Sequence, residues 1–447
     1  MSEVHTVAAS VGGSFLVLGC ADGLKAYRLS ATEPIQKLIP SAEDASALRG
    51  CRAVGGSVGV VAVLGTTPLI AFALDSGTTA SRTTAAAAAA ATSTAEMGAE
   101  GIATCGVSAS TARVLCLYDA LARQPIAELH FDTAVVGVRL NSKRLIVALA
   151  EFVHVFDLKT LRHLAELRTT SPRNPDGLLV LSDPTTNPRG DAVSYFAFPQ
   201  SDSGLGDVWV AHVTEEQMDH DGQGGSTPDT FSCNRCGVVE RMAIVKAHNC
   251  AVVCLAMTRD GTRLATASVR GTTVKVFEPA TARLLYVFRR GLTPARMLAL
   301  SFDASTDLSG LQLAALSSRG TLHIFRCTSS GGDELIAPYP GTETRSFAQA
   351  TVSKSSETAS TAPNLCVESK KGRGGRYCFF SENGRLVWVV LPARKTVLSD
   401  DASLRDGPGD DAASSSEGKA GNGPCWVLHE YAIHMNGCEL MKRHELN

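Results

Sequence analysis

One repeated unit limits what this chain can become. Residues 252–291 read "VVCLAMTRDGTRLATASVRGTTVKVFEPATARLLYVFRRG". These are four apolar runs of about five to eight residues, separated by Arg-Asp-Gly, Arg-Gly and Pro-containing turns. The unit returns at residues 135–169, "VVGVRLNSKRLIVALAEFVHVFDLKTLRHLAELRT", begins again at 297–325, and is present in shorter form at 13–30. A four-stranded sheet of roughly 40 residues is a propeller blade. One blade alone cannot bury both of its apolar faces, so blades have to stack around an axis. The expectation is an all-β chain, a seven-bladed β-propeller with long inserted loops, forming a single domain over residues 1–447.

Five segments break the repeat and read as loops: 76–106, which holds seven consecutive alanines, 214–240, 328–344, 353–362 and the acidic, Gly/Ser-rich 399–423. The most membrane-like stretch, "VGVVAVLGTTPLIAFAL" (58–74), is punctuated by Gly65-Thr66-Thr67-Pro68. It reads as two strands and a turn rather than a span, so any membrane contact is expected to be peripheral. "MSEVHTVAAS" has no basic start followed by an apolar core, so no secretory leader is expected. The 13 cysteines lie mostly inside apolar runs, as Cys20, Cys116 and Cys254 do, and are expected to be buried thiols of a cytoplasmic protein.

Charge is where the chain departs from a generic propeller. Its net charge is −2, too weak a field for a nucleic-acid binder. Yet residues 241–296 carry ten Lys and Arg against two acids, Asp260 and Glu278, a local surplus of eight. Around those cations stand Ser268, Thr272 and Thr273, and the next unit repeats the theme with Ser317, Ser318, Arg319, Thr321 and His323. Guanidinium groups, ammonium, hydroxyls and turn amides are what hold a phosphate. The run "LLYVFRRGL" ends its blade with two adjacent arginines. Neighbours on a strand point to opposite faces, so Arg289 and Arg290 are expected to serve two pockets rather than one.

"VFRRG", the preceding "ATASVRGTTVKVF" and the following "TLHIF" resemble the PROPPIN (WIPI-type) family of phosphoinositide-binding WD-repeat propellers. So do "VVGVRLNSKRLIVALAEFVHVFDLKTLRHLAEL", "TTSPRNPDGLLVLS" and the closing "GPCWVLHEYAI". The resemblance covers most of the chain outside the inserted loops. It implies a non-enzymatic effector in autophagosome formation that binds phosphatidylinositol 3-phosphate and phosphatidylinositol 3,5-bisphosphate at two rim sites. The first would use His248, Ser268, Arg270, Thr272, Lys275 and Arg289. The second would use Arg290, Thr293, Ser317, Thr321 and His323. Lys275 stands where the family carries arginine, keeping the charge but losing the planar fork. Residues 328–344 would be the membrane-inserting loop, with Leu335, Ile336 and Tyr339 as inserters. The resemblance further implies a monomer in solution that meets phosphoinositide-containing membranes and a lipid-transfer partner. Its places would be the cytoplasm and the phagophore assembly site, endosomal or vacuolar membranes.

Other readings compete. A propeller that binds only proteins would have the same fold. No nucleophile elbow, phosphate-cradling Gly-rich loop or HExxH pattern speaks for an enzyme. Cys233 and Cys236, with His248 and Cys250 following, give the sharpest chemical alternative, a zinc-like spacing, but a second clean pair is missing and no metal is expected.

Overall fold

Seven sheets, antiparallel but for one added edge strand, follow one another along the chain in the computed structural model. It describes residues 4–10, 12–30, 32–39, 57–65, 67–74, 113–169, 174–200, 206–214, 238–304, 310–327, 343–352, 377–381, 383–394, 424–435 and 437–446. Blade 3 takes its strands from consecutive sequence: Val135–Leu140, Arg144–Leu149, Phe152–Asp157 and His163–Arg168. Blade 5 does the same with Val252–Met257, Leu264–Ser268, Thr273–Glu278 and Arg283–Arg289. Blade 6 is built from Met297–Phe302, Gln312–Ser317, Thr321–Arg326 and, after a long excursion, Ala348–Thr351. The membrane-like stretch is two strands of blade 2, Val58–Val63 and Leu69–Leu74, as its central turn residues imply.

Core packing shows why the sheets must close on themselves. The buried apolar residues fall into seven clusters, each drawn from two neighbouring blades. Val4 and Leu16 of blade 1 pack with Phe379 and Trp388 of blade 7, which completes the ring. Strand alternation sends successive side chains to different clusters. Val274, Val276 and Phe288 of blade 5 bury against Met297, Leu313 and Phe325 of blade 6. Leu264 and Phe277, on the opposite face, bury against Val208, Val210 and Val245 of blade 4. The first strands of all seven blades line a central cavity that includes Ala8, Ala62, Arg139, Leu181, Met257, Ser301 and Phe379.

Two of the expected loops are shorter than the sequence suggests. Val238–Lys246 is a strand of blade 4, so residues 238–240 belong to the sheet, where Val239 and Glu240 continue the ladder with Val213 and His212. Glu343–Arg345 is also a strand, and it joins blade 5 rather than blade 6. It pairs parallel to the blade's fourth strand, making blade 5 five-stranded. The segments 76–106, 353–362 and 399–423, and the proposed inserters Leu335, Ile336 and Tyr339 lie outside the described residues, as do Cys233 and Cys236. Cys20, Cys116, Cys254, Cys327 and Cys378 are buried.

Candidate anion-binding site

The fourth strand of blade 5 decides where its arginines go. Phe288 is fully buried and stacks on Phe325 of blade 6, ring centroids 4.7 Å apart. That pins Phe288 toward blade 6. Arg289, one residue on, must then face blade 4. In the ladder Arg289 is opposite Thr273, and continuing the register places Thr273 opposite Ser268. Thr266 and Lys275 are paired in the next row on the same face. Hydrogen bonds confirm the direction. Lys275 Nζ donates to the Ala247 carbonyl at 2.8 Å, and His248 Nε2 lies 3.0 Å from Thr266 Oγ1. Ala247 and His248 link blade 4 to blade 5. The first set of expected residues thus converges between those blades: His248, Ser268, Lys275 and Arg289. Thr272 sits one residue before the row, in the turn, where its carbonyl accepts the Arg290 N–H at 2.9 Å. Arg270 is exposed in the same turn. Thr273, expected among the hydroxyl donors but not in the first site, belongs to the cluster, and so does Thr266, which the sequence reading did not select.

Arg290 begins where the strand ends, and its side chain turns the other way. Its Nε donates to the Gly271 carbonyl at 2.6 Å and its Nη2 to the Thr293 carbonyl. Arg319 of blade 6 donates to Thr293 Oγ1 at 3.0 Å. Burial, and then the Arg319 charge, lower the Arg290 guanidinium from its ordinary value. In blade 6, Leu322 and Ile324 pack toward blade 7, so His323 between them faces blade 5. His323 Nε2 is 3.2 Å from Thr321 Oγ1, which is 2.6 Å from Ser317 Oγ. All five residues expected at the second site therefore gather between blades 5 and 6. Ser346, which the sequence reading did not select, lies 3.2 Å from His323 Nδ1.

The two imidazoles share one electrostatic state. Burial pushes His248 down to about 4, helped by the Lys275 charge. Burial and the Arg290 charge do the same to His323. Both rings are neutral at pH 7 and can donate or accept a hydrogen bond without adding charge. The cationic character comes from Arg and Lys alone. Part of the sequence surplus is consumed by an acid outside the stretch, since Arg259 pairs with Asp183 at 2.8 Å, while Arg283 pairs with Glu278 within it at 3.5 Å. Neither Arg289 nor Arg290 lines the central cavity. Among the described residues, no group of three or more His, Cys, Asp or Glu is placed to hold a metal ion.

Gly271 keeps the two clusters in contact with each other. Its φ is +57°, a left-handed conformation that favours glycine, and a Cβ there would lie 1.9 Å from the Ala295 carbonyl oxygen. The turn that carries Arg270 can therefore lie directly on the segment that carries Thr293.

Comparison with known proteins places these features. No family model matches the chain. It is 34% identical over 203 residues to autophagy-related protein 18 of Yarrowia lipolytica, which is 45% of this chain and 46% of that one. It is 30% identical over 285 residues to the protein of the same name from Aspergillus clavatus, covering 61% and 62%. The chain spans about half the length of the first relatives it matches. Among solved structures, Kluyveromyces lactis Hsv2 matches over 100% of this chain and 99% of its own at a TM-score of 0.55 and 15% identity. KlAtg21, solved in complex with the coiled-coil of AgAtg16, matches over all of both chains at 0.55 and 16%. The latter two speak for the fold alone. With its seven blades and its Phe-Arg-Arg-Gly turn, the chain is a seven-bladed β-propeller similar in sequence to autophagy-related protein 18 of several fungi and in fold to Hsv2 and Atg21.

Proposed function

We propose that this propeller is a peripheral membrane effector of autophagy that binds two phosphorylated inositol headgroups at its rim. One headgroup sits between blades 4 and 5, the other between blades 5 and 6. The observation that carries the reading is the divergence of Arg289 and Arg290. Consecutive cations approach two separate sets of hydroxyl and imidazole groups. Phosphatidylinositol 3-phosphate and phosphatidylinositol 3,5-bisphosphate are the ligands in this reading. The phosphate would lie between a guanidinium and the hydroxyls of a two-strand row. Each contact alone is modest, since a basic residue near an anionic surface contributes on the order of 1 kcal/mol. Two pockets on one rigid body gain avidity and would stand the disc on its edge at the membrane. The relatives named for autophagy support a place in that process, at the phagophore assembly site, with endosomal or vacuolar membranes as further sites. The coiled-coil bound by KlAtg21 supports a protein partner of similar kind, beside a lipid-transfer protein. The chain acts as a monomer in this reading.

A protein-only scaffold draws support from one contact: Arg290 already donates to the Gly271 and Thr293 carbonyls, as a purely structural arginine would. Co-sedimentation with vesicles carrying either lipid separates the two. The variant Arg289→Thr with Arg290→Thr, shown to be folded by its unfolding curve, should lose sedimentation with both. Undiminished sedimentation would leave the scaffold reading standing.

A further inference from the structure

The strand Glu343–Arg345 supplies blade 5 with a residue from outside its own sequence. In the parallel ladder Phe288 is in register with Thr344 and Arg289 with Arg345. Residues in register on adjacent strands of one sheet share a face. Arg345 therefore lies on the blade-4 side, beside Arg289, and its side chain is exposed. The next residue, Ser346, has its Oγ 3.2 Å from His323 Nδ1 in the other pocket. So Arg345-Ser346 repeats the division made by Arg289-Arg290: one residue for the blade-5 pocket, its neighbour for the blade-6 pocket.

With this strand in place, the blade-5 row runs Ser268, Thr273, Arg289, Arg345 across four adjacent strands. Strands lie about 4.8 Å apart, so the row extends over roughly 14 Å. A single phosphate fills the gap between two neighbouring strands of such a row. A ring bearing phosphates on two non-adjacent carbons reaches further along it. The hydroxyls and Arg289 are enough for the first phosphate, and Arg345 stands one strand further out, where the second would arrive.

We propose that Arg345 is a specificity residue of the blade-5 pocket and reads the second phosphate of a doubly phosphorylated inositol headgroup. This rests on the reading of that pocket as a headgroup site. Among the described residues the blade-6 row has no such extension and ends on Thr351, opposite Thr321.

The test uses the full chain carrying Arg290→Thr, so that the blade-5 pocket dominates binding. Vesicles containing phosphatidylinositol 3-phosphate or phosphatidylinositol 3,5-bisphosphate are titrated against this protein with and without Arg345→Ala, and with Arg345→Lys. The matching soluble headgroups, added without lipid, separate headgroup recognition from general attraction to an anionic surface. Arg345→Ala should weaken the bisphosphorylated ligand about tenfold, as loss of one charge-assisted contact does. The monophosphorylated ligand should change less than about twofold, and Arg345→Lys should recover part of the loss. The same ratios should appear with vesicles and with soluble headgroups. Equal loss for both ligands, loss on vesicles alone, or no loss for either overturns the role of Arg345. If the Arg290→Thr protein binds neither ligand while the unsubstituted chain binds both, the blade-5 pocket itself is misread. Because the strand pairs through its backbone and Arg345 is exposed, the unfolding midpoint should not fall in either variant.

Discussion

The blade-5 and blade-6 clusters, read as two headgroup pockets, are two solutions to one problem. Each places a serine and a threonine opposite each other on its second and third strands, Ser268 with Thr273 and Ser317 with Thr321. Each second strand ends in a Ser-x-Arg-Gly turn closed by a glycine N–H to a serine carbonyl at 3.0 Å. They differ in the row behind. Blade 6 puts His323 opposite Ala315, whereas blade 5 puts Lys275 at the matching position, opposite Thr266, and takes its imidazole from His248 on the interblade link. The blade-5 arginine is held within a regular strand, while Arg290 sits past the strand end and is fixed by two backbone carbonyls. A repeated fold can therefore keep the chemistry of a site while drawing the same group from different elements. The blade-5 pocket depends on the blade 4–5 junction and the blade-6 pocket on the Gly271 turn.

Gly271→Ala should break this comparison most strongly. The added methyl meets the Ala295 carbonyl in a left-handed turn, at a cost of about 2 kcal/mol or more. Displacement of the Thr293–Ala295 segment should impair the blade-6 pocket, although the changed residue is in blade 5. Chemical unfolding and headgroup titration measure the two effects. Retention of both would show that the pockets are mechanically independent.

Lys275→Met acts on the opposite side. It removes the donor to the Ala247 carbonyl, at about 1–3 kcal/mol of stability, and one cation from the blade-5 pocket. Binding in an Arg290→Thr background should drop, while binding in an Arg289→Thr background should hold. Lys275→Arg should preserve the charge and most of the affinity.

The smallest effect is a pH dependence. His248 and His323 titrate near 4 in the folded protein and near 6.5 when unfolded. Between those values the unfolded chain binds more protons, so acidification through this window destabilises the fold. A phosphate beside either ring favours the imidazolium, so binding takes up a proton and tightens as pH falls. Titrations at pH 7.5 and 5.5 should show a relative gain over the His248→Gln, His323→Gln protein, which carries only the phosphate's own titration. Parallel curves for the two proteins would place the rings away from the phosphate.

Much of this arrangement was legible in the sequence because strand alternation is a local rule. Phe288, Arg289 and Arg290 alternate regardless of what surrounds them, and His323 is fixed between Leu322 and Ile324. Register between strands is not local. The blade-5 turn holds one residue more than the blade-6 turn, which brings Thr273 rather than Thr272 into the row with Arg289. Thr266 was hidden because a threonine inside "LATAS" resembles an ordinary core strand residue. Arg345 and Ser346 were beyond reach for a different reason. Their place depends on a parallel pairing between blade 5 and a segment more than 50 residues further along, and no pattern within either stretch encodes it.

Counting headgroups per chain tests the division of labour between Arg289 and Arg290 most directly. Calorimetric titration with the soluble headgroup of phosphatidylinositol 3-phosphate should return two sites for the unsubstituted protein, one for Arg289→Thr, one for Arg290→Thr, and none for the double variant. A single site that either substitution abolishes would mean that the two arginines close around one phosphate, and the two-pocket account would be wrong.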